Sequence, residues 1–150
     1  MACPQPALPF SGDGISLQAL RLFLSEHAGK EFTSDARWED ARRHSHPAAA
    51  GREGVFEALT VAQVSVLLLG YGVSGPSYVE RLRRSERGSL PPLAAPATVY
   101  VVYCWDDLFV RFAEVLLSHF ASAADADSVY LWICAFPCVR ASGVPCSGAN

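Results

Sequence analysis

Trp105, Asp106 and Asp107 stand together after a run of β-forming residues and before an amphipathic stretch. An open α/β sheet places its ligand site there, outside the carboxyl ends of its strands, beside helix amides that can receive a phosphate or a ribose hydroxyl. Trp105 could stack on a base in such a site. Two carboxylates would repel a phosphate, and both acids are accounted for as the N-cap and first-turn charge of the following helix. Cys134, Cys138 and Cys146 raise the question of a metal. Zinc sites pair half-sites of the C-x₂₋₄-C kind to reach four ligands, and only one such spacing occurs here. Cys104 and Cys134 fall on two predicted strands and read as buried thiols acting as small hydrophobes. His44 and His46, ahead of Pro47, have no Cys or acidic pair nearby and read as a loop. His27 and His119 lie near helix ends, where positive charge is favoured without any catalytic role. Gly-x-Ser-x-Gly, His-Glu-x-x-His and a Gly-rich phosphate loop are all missing. The sequence therefore offers no catalytic set and no metal set. Trp105 and Asp106 are the candidate cofactor-binding residues if a nucleotide is bound.

The elements that must position these residues belong to a chain of 150 residues, 51% hydrophobic, 18% charged, with a net charge of −3. That balance excludes a disordered or acidic tail protein, and the length suffices to bury about 70% of the unfolded surface. The longest nearly uncharged, strand-like run, Ala94 to Trp105, contains Pro96 and falls well short of the ~20 apolar residues of a membrane helix. The start, Met1-Ala2-Cys3-Pro4, lacks the basic and apolar segments of a secretory signal, so a reducing, cytoplasmic location is expected. Arg81, Arg83, Arg84 and Arg87 form a basic helix face that reads as solvated surface, and neither a nucleic acid nor a membrane is expected as a partner.

Residues 1–14, rich in proline and turn formers, read as a flexible lead-in. A helical region follows over 15–87. Ser16 caps a helix from Leu17 to Ala28 that Gly29 stops; a short helix follows Asp35. Thr60 caps an apolar helix that Gly70 and Gly72 close, and a further helix from Ser77 buries Tyr78, Val79 and Leu82. Residues 88–98 form a Pro-rich connector. Over 99–136 the pattern is strand, helix, strand. Thr98 to Cys104 reads as a fully buried strand, not an alternating edge. Phe109, Phe112, Leu116 and Phe120 form one stripe of the helix, and Val129 to Phe136 the second strand, parallel to the first and beside it. Residues 137–150 form an irregular tail.

Three blocks then resemble one family. Val55 to Val64, Ser77 to Leu82, and Ala95-Pro96-Ala97-Thr98 entering the strand are similar to the TIR-like (Toll/interleukin-1-receptor-like) domains of microbial eukaryotes. In those domains a helical lead-in precedes a strand ending in a Ser-His-x-Trp type motif, matched by Val102-Tyr103-Cys104-Trp105. An aromatic-rich helix follows, matched by Phe109 to Phe120, and then a strand of the Phe-x-Trp-x-Asp-x-Phe type, matched by Tyr130 to Phe136. The resemblance runs from Val55 to Phe136, with a fainter echo in Leu17 to Ala28. It departs where chemistry would sit: the first strand end has no His, and Cys134 stands where the second usually carries Asp. NAD-cleaving members use a glutamate on a later helix, whereas no Asp or Glu follows Asp127 here.

The fold class expected is α/β: a helical N-terminal half packed on a βαβ unit with two parallel strands, part of a flavodoxin-like or TIR-like sheet. The resemblance implies a shortened, non-catalytic module that associates with protein, including copies of itself, through exposed sheet edges. A piece of a longer TIR-like protein fits the sequence equally. The alternative is an NAD-binding or NAD-hydrolysing domain completed by a second chain.

Overall fold

Ser16 does two jobs at the point where the chain turns from strand to helix. Its amide donates to Leu93 O (2.8 Å), and its Oγ accepts from the amide of Ala19 (3.0 Å), capping α1, Leu17–His27. The helix buries Leu17, Ala19, Leu20, Phe23 and His27, and Gly29 at φ +70° ends it. The computed structural model of the chain describes residues 12–32, 46–73, 76–85, 90–133 and 136, with 69–73 described by backbone alone. The expected helix after Asp35, His44, Arg87, Cys134 and the tail from Pro137 lie outside the described residues.

Two further helices start on capping boxes. For α2, Val61–Val73, Thr60 Oγ1 accepts from the amide of Gln63 (3.3 Å) while Gln63 Oε1 accepts from the amide of Thr60 (2.9 Å). For α3, Tyr78–Ser85, Ser77 and Glu80 exchange the same pair of bonds, at 3.3 and 2.8 Å. Thr60 and Ser77 are both buried, so nothing from solvent replaces a lost cap. Thr60→Ala is expected to cost about 1–2 kcal/mol in a urea titration. An unchanged midpoint would mean that the box does not hold the helix. Helix α2 runs through Gly70 and Gly72 to Val73, past the expected stop.

The sheet has four strands: β1, Asp13–Ser16; β2, Ala94–Pro96; β3, Val99–Tyr100; and β4, Tyr130–Trp132. Their order is β2-β1-β4-β3. Strand β1 pairs antiparallel with both β2 and β4, with Ile15 opposite Ala94 and Leu131. Strand β3 pairs parallel with β4, placing Val99 opposite Leu131 and Tyr100 opposite Trp132. Helix α4, Phe109–Phe120, joins them. The α/β class and the expected pair of parallel neighbours linked by an amphipathic crossover are thus present.

Three expectations need correction. Asp13 and Gly14, assigned to a flexible lead-in, begin β1 in the middle of the sheet, and Ala94–Pro96 of the assigned connector form its partner β2. The first parallel strand is not buried on both faces. It is outermost among the described strands, and from Thr98 to Cys104 its residues alternate between exposed and half-buried. Asp106 and Asp107 do not cap α4: the N-cap position is Leu108, without a side-chain cap bond.

Cross-strand partners share a face, so Ala94, Ile15, Leu131 and Val99 line one side of the sheet. This side joins the apolar residues of all four helices in one core. Phe23 is at its centre, with ring centroids of Tyr78 and Phe136 at 5.2 Å, Phe109 at 5.6 Å and Phe56 at 6.0 Å. The opposite side carries Tyr100 and Trp132, whose rings lie 5.8 Å apart.

Candidate functional site

The segment leaving β3 is tied to the helical half by backbone bonds. Val61 donates its amide to Asp107 O (2.9 Å) and Ala62 to Trp105 O (3.0 Å), while Phe109 donates to Leu59 O (2.9 Å). A helix begins with four amides that no earlier turn can accept from. At α2 all four are used: Thr60 and Gln63 by the capping box, Val61 and Ala62 by these carbonyls. No amide remains there for a phosphate. The carbonyls of residues 105 and 107 therefore fix this loop in place, and the acids belong to its exposed outer side rather than to a helix cap.

Beside these exposed acids, the loop and the strand before it display apolar side chains. Trp105 is 37% exposed and meets Tyr103 at 5.2 Å between ring centroids, and Tyr103 meets Phe112 of α4 at 5.3 Å. On the outward side of the same strand Tyr100 is 54% and Val102 97% exposed, and Cys104 is exposed as well. The expectation of a buried Cys104 thus fails, for the same reason that β3 is outermost. The result is an apolar rim running from the Tyr100–Trp132 pair, along Val102, to Trp105 and Tyr103. Neither Tyr100 nor Val102 stands out in the sequence as a site residue. Every residue from Val99 to Tyr103 is a strong strand former, so composition cannot separate an open face from a covered one.

The remaining candidates scatter. Trp105 and Asp106 are adjacent and exposed in a turn, Trp105 five residues beyond the end of β3 at Tyr100. His27 is buried in the core, its Nδ1 2.8 Å from Phe23 O and its ring stacked on Phe32 and tilted against Phe23 and Phe56. His119 is exposed beside Phe120, and His46 Nδ1 accepts from the amide of Ala48 at a single 3-10 turn. Of the basic face, Arg83 pairs with Asp13 at 2.7 Å, bracing α3 against β1. Among the described residues no three His, Cys, Asp or Glu side chains gather as a metal would require. Cys138 and Cys146 lie outside those residues. No helix among the described residues is long and apolar enough to cross a membrane.

Comparison with protein-family models, with curated proteins and with solved structures finds no match for this chain.

Proposed function

We propose that this chain is a non-catalytic protein–protein association module, TIR-like in kind, that works through the outer side of β3. The observation that carries this reading is the exposed apolar row of Tyr100 on the outermost described strand and of Val102 and Trp105 on the segment that leaves it. A parallel strand is normally covered on both faces and flanked on both sides. Here one face is packed on the helices and the other shows aromatic and β-branched side chains to water. Contiguous exposed apolar surface of this kind marks interaction sites. The departures from the family motifs, no His at the first strand end and Cys134 in place of Asp, are in keeping with a binding role.

Sedimentation velocity at tens of micromolar tests the reading. The expected result is a boundary heavier than the 16.1 kDa monomer that shifts with concentration. A sharp, invariant monomer would contradict it.

The exposed Trp105 beyond a parallel strand's carboxyl end favours one second reading, NAD binding or hydrolysis by a site that another chain completes. Incubation with NAD and chromatography for nicotinamide distinguishes the two. The association reading expects no release above a Trp105→Ala control, and release above that control would replace it with the enzymatic one.

A further inference from the structure

We propose that the partner of the β3 edge is a second copy of this chain, joined by antiparallel pairing of the two segments 98–104, which contain β3, about a two-fold axis at Val102. The inference rests on the association reading above and gives it a partner and a geometry.

The first ground is the direction of the backbone. Val101 donates its amide to Trp132 O at 3.1 Å, so the peptide groups of Tyr100 and Val102, one step away on either side, point away from β4. They form the free half of a ladder. In a two-fold pairing centred on Val102, that residue and its copy exchange both backbone bonds, and Tyr100 falls opposite Cys104 of the second copy.

The second ground is charge. No charged side chain occurs between Arg87 and Asp106. Sheets protect an edge with lysine, inward charge, a covering element or a very short strand; β3 is only two residues long, and among the described residues it carries no charge and no covering element. Centring on Val102 places Asp106 opposite the neutral Thr98, so the pairing brings no like charges together. The exposed row of Tyr100, Val102 and Cys104 is self-complementary in character, and self-complementarity is what a two-fold contact requires.

The third ground is area, which sets the strength. An aromatic side chain buries about 150–250 Å², so half of Tyr100, a third of Trp105 and nearly all of Val102 give on the order of 300 Å² per copy. A stable complex takes about 800 Å² per partner. The dimer is therefore weak, and it is populated where the local concentration is raised.

Sedimentation equilibrium from about 5 to about 500 µM, run beside amide hydrogen exchange at both limits, tests the pairing. Val102→Lys sets two like charges opposite each other at the axis, and because Val102 is almost wholly exposed the variant keeps its fold, as circular dichroism will verify. The expected result is a mass rising towards a dimer, an association at least tenfold weaker in Val102→Lys, and Tyr100 and Val102 amides that exchange more slowly only at high concentration. Association that Val102→Lys does not weaken would overturn the β3 pairing while leaving the association reading intact. Slow exchange of the two amides in the dilute monomer would also overturn it, since a segment of the same chain would then hold the edge. A monomer at every concentration would overturn both.

Discussion

Phe23→Ala is expected to remove a large part of the stability of the fold. The side chain is fully buried and touches rings from four other segments of the chain, at 5.2 to 6.0 Å between centroids. Truncating a buried phenylalanine costs about 3–5 kcal/mol, through lost transfer energy and the cavity left behind. Domains have only about 5–15 kcal/mol in total. For a chain of this length that corresponds to a fall of about 10–15 °C in Tm by calorimetry. The loss is large because the segments around Phe23 cannot collapse together: Phe56 and Phe109 are each held by their own backbone bonds, Phe56 N to Lys30 O and Phe109 N to Leu59 O, both 2.9 Å. A shift of only a degree or two would show that the aromatic cluster is not the centre of the core.

Gly14→Ala is the second large effect, and it probes the part of the sheet that was least visible beforehand. A Cβ on Gly14 would stand 2.9 Å from the backbone of both Tyr130 and Leu131. Those atoms belong to a strand and cannot swing aside as a side-chain tip would. Strand β1 must then move off β4, and because β1 also pairs with β2 the displacement disturbs both ladders. Overpacking of this kind costs about 1–3 kcal/mol, and Gly14→Val should cost more. Gly12 is the internal control, since a Cβ there meets nothing within 4 Å, and its alanine variant should stay within about 0.5 kcal/mol of the parent. Equal midpoints for the two alanine variants would place β1 elsewhere.

The local signals in the sequence were those that helices and long apolar strands write into their own residues. Ser16, Thr60 and Ser77 cap the helices they precede, and the stripe of Phe109, Phe112, Leu116 and Phe120 lies along α4 against the core. Strand, crossover and strand over 99–132 are parallel neighbours because α4 is long enough to return the chain to the same end of the sheet. What stayed hidden depends on partners distant in sequence. Strand β1, Asp-Gly-Ile-Ser, has one apolar side chain and carries a turn-like composition. Only pairing with residues about 80 and 115 positions away makes it a strand. Strand β2, Ala-Ala-Pro, ends in a residue that a central strand would exclude, and it sits at the far edge.

The candidate site was half legible for the same reason. Trp105 and Asp106 could be placed beyond a strand's carboxyl end from spacing alone. That the acids do not cap α4, while the carbonyls of Trp105 and Asp107 cap α2 instead, follows from a long-range contact with Thr60 and its neighbours. The exposure of Tyr100 and Val102 follows from strand order, which β-propensity does not encode.

Backbone nuclear Overhauser contacts in the dilute monomer decide whether β3 is parallel to β4 and outermost, without which the exposed rim does not exist. The account predicts contacts of Val99 with Leu131 and of Tyr100 with Trp132, advancing together along both strands, and no strand contact on the other side of β3. Contacts that pair Val99 with Trp132 and Tyr100 with Leu131, or a second strand against the outer side of β3, would contradict it.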